Sequence, residues 1–321
     1  MRSRAVVMRR TGAPNVLAIE EVEAPCLRAG EVRIRALASA VNHSDLEIRA
    51  GRWAIHRTPQ FPYVPGLEVV GDVVEVGSGV GQVHEGARVW TTMQGLGGVR
   101  AERDGGYAEY VVVSASAVAL LPRTVDPVAF AAVGLAGVTA HRGLLTLGAL
   151  PGKVLAVTGP TGGVGSIAVM LGRQAGANVV EVDRDTGPLQ AGSVDAVLDV
   201  VAGPRFPELV ASLRHAGRYC LVGAAAGGDV RFDAWSLLNA LTLTGYSTED
   251  IDGDGLRATT DALLEARLPS INCTVLPLAE AARAHALLEG REVNGRVVLI
   301  PCEPSQLEGK RSETPRRDER Q

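Results

Sequence analysis

Aromatic residues are scarce in this chain. Phenylalanine, tyrosine and tryptophan make up 4% of 321 residues, against 46% hydrophobic overall, so sizeable cores must be filled by Val, Leu and Ala rather than by rings. Cysteine is almost as rare. Cys26, Cys220, Cys273 and Cys302 are scattered without a CxxC spacing, which argues against a disulfide framework and against a structural zinc knuckle. Only Lys153 and Lys310 are lysines; the other 30 basic residues are arginines. No charge excess is present: the net charge is −4 and the pI about 5.9, which excludes the basic footprint of a nucleic-acid partner. No amino-terminal stretch resembles a signal peptide, and no apolar run approaches the ~18 residues of a membrane span. The expectation is a cytoplasmic protein with no membrane partner. The length fits two domains, and glycine is plentiful, at 38 residues.

The glycines gather most tellingly within residues 153–183. Val154–Thr158 is a short apolar, β-branched run, as in a buried parallel strand. Gly159, Pro160, Thr161, Gly162, Gly163, Val164 and Gly165 read as a tight turn. Ile167, Ala168, Met170, Leu171 and Ala175 then recur at helical spacing, and residues 178–182 form a second apolar strand. Strand, glycine turn, helix and strand make a βαβ unit. At such a turn, backbone N–H groups and the positive helix end favour a pyrophosphate. Gly162 lets the backbone approach the phosphates, and Gly165 lets helix and strand pack closely. Asp183 follows about 20 residues on, where a carboxylate accepts from a ribose 2′-OH. Pro160 replaces the first glycine of the fingerprint, and a purely structural glycine turn is the competing reading of the same residues.

Ahead of this unit the chain reads as strands. Residues 5–8, 17–22 and 31–36 carry strand patterns separated by turns at Gly12-Ala13-Pro14 and around Pro25 and Gly30. Six blocks then follow in order: AVNHSDLEIRAG at 40–51, FPYVPGLEVVGDVVEVGSGV at 61–80, GARVW at 86–90, GGYAEYVVV at 105–113, GLAGVTAHRGLL at 134–145, and, after the βαβ unit, NGRVVLIP at 294–301. Together they resemble the medium-chain dehydrogenase/reductase superfamily, and their details resemble most its zinc-independent quinone oxidoreductase branch, over about residues 4–301. The resemblance implies an α/β protein. A GroES-like, β-barrel-type catalytic domain over 1–121 and 271–302 is joined to a doubly wound Rossmann domain over 122–270. Residues 303–321, charged and nearly free of apolar side chains, are expected to form a disordered tail.

The resemblance also assigns roles. Zinc-dependent members carry Cys-His and Gly-His-Glu where this chain has Asn42-His43 and Gly66-Leu67-Glu68. An amide replaces the thiolate and leucine replaces the imidazole, leaving too few ligands for catalytic zinc. No metal is expected; His43 becomes a pocket-lining or surface residue, and Glu68 a holder of arginine or backbone groups. Asn42 takes the place of an asparagine close to the nicotinamide in the quinone oxidoreductases, although a turn-forming asparagine at a strand end reads the same way. Asp45 is a helix cap or structural acid. Glu47 replaces a tyrosine that faces substrate in many relatives, with a solvated helix face as its alternative. Thr139 matches a segment that touches the nicotinamide, or is a helix-interior threonine bonded back to a carbonyl. Val222 and Gly223 end a later strand, at the crevice where backbone groups hold the carboxamide. Tyr63, Trp53 and Trp90 are candidates for the substrate pocket, or core. Asn42, Glu47 and Tyr63 are thus the catalytic candidates. Asn42, Thr139, Gly159, Thr161, Gly162, Gly163, Val164, Gly165, Asp183, Arg184, Val222 and Gly223 are the cofactor-binding candidates.

Two departures stand out. After Asp183 the strand pattern at 194–201 arrives within about ten residues, too few for a normal βαβ crossover, so the adenosine side of the site is trimmed. Cofactor choice is mixed as well: Asp183 favours NADH, whereas Arg184 can pair a 2′-phosphate and the branch usually takes NADPH. NADPH is the expectation, with NADH possible. The leading function is hydride transfer from NAD(P)H to a quinone, enone or similar activated double bond, since the nicotinamide supplies the hard chemistry. The alternatives are a non-redox relative, with Glu47 and His43 in acid–base roles on a small metabolite, and a dinucleotide-sensing binding protein. The family implies a homodimer formed through edge strands of the nucleotide domain.

Overall fold

The computed structural model describes residues 1–53, 60–92, 96, 103–267 and 270–301. The expected tail at 303–321 lies outside them.

The amino-terminal part is built on strands that alternate inward and outward side chains. β1 (Arg2–Val7) and β2 (Ala18–Glu23) pair as an antiparallel ribbon. β3 (Glu31–Val41) is long enough to serve three partners. Its first half pairs with β6 (Tyr110–Ser114), much of its length with β4 (Glu68–Val76), and its last residues with β14 (Arg296–Ile300), all antiparallel. β5 (Arg88–Thr92), β7 (Ala119–Leu120) and β13 (Cys273–Pro277) complete a seven-stranded sheet in the order β13-β14-β3-β4-β5-β7, with β6 on β3. β13 was not legible in the sequence, where only the helix and strand after it stand out. Its five residues end in proline, a residue confined to strand ends and edges. α1 (His43–Ala50) follows β3 directly and ends on Gly51 in the left-handed conformation, with φ of 76°.

The second part is a parallel sheet in the order β12-β11-β10-β8-β9, from β8 (Val154–Thr158), β9 (Asn178–Val182), β10 (Val194–Asp199), β11 (Leu213–Leu221) and β12 (Thr242–Gly245). α2 (Pro127–Leu147), α3 (Gly163–Gln174) and α5 (Gly253–Glu265) contribute to one apolar core with Leu155, Val157 and Leu198. α4 (Phe206–Ala211) covers a smaller cluster around Val197, Leu209 and Tyr219. The chain then returns through β13, α6 (Ala281–Glu289) and β14 to the first sheet. The expected shortening is present: no helix separates β9 from β10, so β9 is left at the sheet edge.

α2 corrects one expectation. It is long and apolar enough to span a membrane, although the sequence showed no run of that length. Thirteen of its residues, from Phe130 to Leu147, are nonetheless buried, and it is a core helix. It also kinks at Gly134, whose backbone is non-helical. A Cβ at Gly134 would overlap a Glu68 carboxylate oxygen, and the kink frees the Leu135 N–H to donate to that oxygen at 2.9 Å.

Candidate cofactor site

The glycine turn joins β8 to α3. Gly159 is left-handed, with φ of 59°, and its carbonyl accepts from the Gly162 N–H at 3.0 Å. Gly162 is the N-cap of α3, so the free N–H groups of the first turn, from Gly163 on, point out of the helix end. Beside them lies a cavity of about 220 Å³, lined by Thr161, Gly162, Gly163, Asn272, Asn294 and Arg296. Helix dipole, amide donors and a guanidinium converge there, which suits an anion. Val164 lies inward, packed on the core, and Gly165 touches Thr158 and Gly159 so closely that any side chain would overlap backbone. The sequence named the turn but gave no sign of Arg296, which arrives from β14, 133 residues beyond Gly163.

Arg296 also anchors a buried polar cluster. Its Nη2 donates to Asn42 Oδ1 at 2.7 Å, its Nε to the Ala132 carbonyl at 3.2 Å, and it stands 3.7 Å from Glu68 Oε1. Asn42 Nδ2 in turn donates to Glu68 Oε1 at 2.9 Å. Asn42 is 6% exposed and Glu68 fully buried. Burial pushes the Glu68 carboxyl up from its ordinary range, against the pull of Arg296 and the bonds from Asn42 and Leu135. Asn42 is also the N-cap of α1, where Asp45 accepts from its N–H at 2.8 Å. The cap is therefore Asn42, with Asp45 as the reciprocal third-position acid and not the cap itself.

This cluster does not fit a catalytic zinc. The positions that carry thiolate and imidazole in zinc-dependent relatives are an amide and the buried Leu67. Both Glu68 oxygens already accept hydrogen bonds, and a cation stands beside them. Among the described residues no three His, Cys, Asp or Glu side chains cluster as a metal site.

The other candidates fall in different places. Thr139 Oγ1 donates back to the Leu135 carbonyl at 2.9 Å and lies 3.1 Å from Thr248 Oγ1. Val222 and Gly223 stand at the carboxyl end of β11, the Val222 N–H donating to the Asp199 carbonyl at 2.8 Å. Asp183 is exposed but turned onto its own chain: Oδ1 accepts from the N–H groups of Asp185 and Thr186 and from the Thr186 hydroxyl, at 3.0, 2.7 and 2.6 Å. Those bonds hold its carboxyl below the usual range. Arg184 is exposed beside it, with no ion pair among the described residues. Glu47 and Tyr63 lie apart from the glycine turn. Glu47 is paired with Arg52 at 2.8 Å on the outer side of α1. Tyr63 is buried in the amino-terminal core and lines a separate cavity of about 610 Å³ beside β1 and β2, which no residue of the glycine turn reaches. His43 is a surface residue. Trp90 is core, its indole N–H donating to Thr260 Oγ1 at 2.8 Å; Trp53 is half-buried against the amino-terminal core.

One further group escaped the sequence. Asp199, fully buried at the end of β10, accepts from Thr158 Oγ1 at 2.5 Å, from the Val201 and Ala202 N–H groups at 2.8 and 3.1 Å, and from the Tyr219 hydroxyl. It fixes the loop that follows β10 at the crevice floor. Thr158 ends β8, so one carboxylate ties together the two central strands where a ligand would cross.

Comparison with known proteins agrees with this architecture. Residues 28–123 match the alcohol dehydrogenase GroES-like domain, and residues 175–299 match the zinc-binding dehydrogenase family. An alcohol dehydrogenase of Geobacillus stearothermophilus is 32% identical over 88% of this chain and 95% of its own length. A quinone oxidoreductase of Sus scrofa is 26% identical over 92% and 97%. Among solved structures, a mycobacterial protein complexed with NADPH is 29% identical, with a TM-score of 0.78 over 93% of this chain and all of that one.

Proposed function

The chain belongs to the medium-chain dehydrogenase/reductase superfamily of oxidoreductases, and from that premise we propose that it is a zinc-independent, NADPH-dependent reductase of a quinone, an enone or another activated double bond. The observation that carries this reading is the Asn42–Glu68–Arg296 cluster. In a metal-assisted alcohol dehydrogenation a Lewis acid lowers the pKa of the hydroxyl; here the groups at the corresponding positions are bonded to one another and to a guanidinium instead. A conjugated acceptor takes hydride once it is positioned against the cofactor, and the resulting enolate or quinol anion takes its proton from solvent.

The nicotinamide supplies the hydride when the cofactor is bound. This chain's residues do the holding. The first-turn amides of α3 and the guanidinium of Arg296 bind the phosphates. Thr139 and the backbone at Val222 and Gly223 orient the carboxamide end. Asp199 keeps the crevice loop in place. A preference for NADPH draws support from Asp183, whose Oδ1 is spent on its own turn, and from the exposed Arg184 next to it, which has no ion pair among the described residues.

We also propose a homodimer and a cytoplasmic location. Among the described residues β12 pairs only with β11, and Trp235 and Leu238 just before it are 76% and 74% exposed. The described cysteines are free.

A non-redox relative is the second reading, favoured by the trimmed crossover after Asp183. Titration with NADPH and NADH, followed by nicotinamide fluorescence, decides. Binding with oxidation by a quinone or enone panel is the expected result. Binding without turnover on any acceptor supports a sensor, and no binding of either dinucleotide overturns the reductase reading.

A further inference from the structure

Behind Asn42 the structure buries two carboxyls, Asp45 and Glu68, close to the guanidinium of Arg296. Asp45 and Glu68 are 1% and 0% exposed, and the guanidinium that acts on both, Arg296, is 7% exposed. Every charged or titratable group that faces Asp45 can be named. Its own helix offers the Asn42 N–H; β4 offers Glu68; β14 offers Arg296; the segment before β6 offers Tyr107; and the segment before β4 offers Tyr63. Tyr107 meets His285 of α6, with Nε2 3.4 Å from the hydroxyl. Arg49 of α1 lies next to His285, and its guanidinium reaches Glu289 at the surface at 3.0 and 3.3 Å. Among the described residues His285 Nδ1 and Arg49 Nε have no hydrogen-bond partner, and the Tyr107 hydroxyl faces the Asp45 carboxyl.

Two ionised carboxylates against one guanidinium would leave a buried net negative charge, which desolvation strongly disfavours. The pair escapes that cost when one of the two carboxyls carries a proton. Burial lifts the Asp45 carboxyl to about 7, with the charge of Glu68 adding to the rise. Arg296 links this balance to the glycine turn. Its Nη2 serves Asn42, while its Nη1 stands 2.8 Å from where a Cβ on Gly163 would be, at the first turn of α3.

We propose that dinucleotide binding at the glycine turn draws a proton into the Asp45–Glu68 pair, with Arg296 as the link. The inference rests on the dinucleotide reading above. A pyrophosphate at α3 gives the guanidinium a second anionic partner and adds negative charge nearby. Both effects favour the neutral form of a neighbouring carboxyl.

The test is calorimetric titration with NADPH in buffers of different ionisation heat, between pH 7 and 8.5, where a phosphate monoester with its pKa near 6 has lost its last proton. The expected result is an uptake approaching one proton per site, with Kd weakening by up to about tenfold per pH unit. D45N, whatever its affinity, should show no uptake and a flat pH profile. If D45N fails to fold, the infrared difference spectrum of the unaltered protein carries the test: a protonated-carboxyl band should grow on adding NADPH. A Kd independent of pH with no uptake, an undiminished uptake in D45N, or no such band overturns the proposal. Failure to bind NADPH at any pH is a different outcome, because it removes the dinucleotide reading itself.

Discussion

Gly162 and Gly165 sit three residues apart in one turn and answer to different constraints. Gly162 has φ of −82° and ψ of 170°, which any residue adopts, and the nearest atom to a Cβ there is the Gly159 carbonyl oxygen at 3.3 Å. Gly162→Ala therefore asks its neighbour to give by a few tenths of an ångström. Alanine also restricts the unfolded chain, worth about 0.4–1 kcal/mol in the protein's favour. The two effects nearly cancel, and the thermal midpoint should stay within about 4 °C of the original. The methyl group would nonetheless stand at the helix end where phosphate must meet backbone. NADPH affinity should fall at least tenfold, about 1.4 kcal/mol. Gly165→Ala reverses the pattern. Its Cβ would overlap the Gly159 carbonyl and lie 2.9 Å from the Thr158 carbonyl oxygen, all backbone with nothing to swing aside. Overpacking of this kind costs about 1–3 kcal/mol, or roughly 2–4 °C in midpoint for each kcal/mol. Fluorescence titration and thermal melts of both variants, run side by side, read the two effects separately. A folded Gly162→Ala that binds NADPH as tightly as the original would refute the phosphate cradle, and an unchanged midpoint in Gly165→Ala would refute the packing argument.

Other consequences follow from buried groups and exposed faces. Asp199→Ala strips four donors of their acceptor in a fully buried site; unfolding in denaturant should show a loss of about 3–5 kcal/mol, and Tyr219→Phe a smaller one. Stability against pH should reveal two opposed slopes of about 1.4 kcal/mol per unit. Asp45, raised to about 7 from 3.8, holds a proton that the unfolded chain lacks, so it makes stability fall as pH rises from about 4 to 7. His285, lowered to about 3 from 6.5, makes stability rise from about pH 3 to 6.5. The two offset in the original protein; D45N should uncover the rising limb and H285Q the falling one, and parallel curves for both variants would refute the assignment. Trp235→Ser with Leu238→Ser should convert a dimer into a monomer in sedimentation, with the melting curve little changed, since neither side chain is buried in the subunit. Dialysis against a strong chelator should leave reductase activity intact, and a loss restored by zinc would reverse the reading of the Asn42 cluster.

What the sequence could reveal tracks the distance over which each fact is decided. The βαβ unit was legible because its strand, turn and helix are fixed within thirty residues by apolar period and glycine placement. The missing crossover helix was legible by counting residues. Arg296 was not, because it meets Asn42 across 254 positions, and only β14 pairing beside the end of β3 brings them together. Tyr63 was favoured because large aromatics are scarce, yet burial is the ordinary fate of a bulky ring, and the core claimed it. Asp183 was different. Its Oδ1 is bonded to a threonine three residues on, a local turn in which an aspartate accepts from the backbone ahead, and Asp183-Arg184-Asp185-Thr186 carried that signal in plain view.

That turn bears on how so short a crossover can work at all. Residues 183–193 must carry the chain from the carboxyl end of β9 to the amino end of β10, passing β8 on the way. Extended chain at about 3.3 Å per residue spans it easily, so reach is not the difficulty. The difficulty is order: a helix would supply its own hydrogen bonds and an apolar face, and a bare strap has neither. α4 and the turn before it supply both from outside. Arg205 donates to the carbonyls of Asp183 and Gly187 at 2.5 and 3.3 Å, and Glu208, paired with Arg205 at 2.8 Å, accepts from the Leu189 N–H at 2.9 Å. Leu189 itself packs on the cluster around Leu209 and Tyr219. The strap is thus pinned by the Arg205–Glu208 pair and by Leu189, and its first pin falls on the carbonyl of Asp183, the residue proposed to lie beside the cofactor's ribose. Loosening Arg205 should therefore be felt in the adenosine half of the site before it is felt in the stability of the sheet.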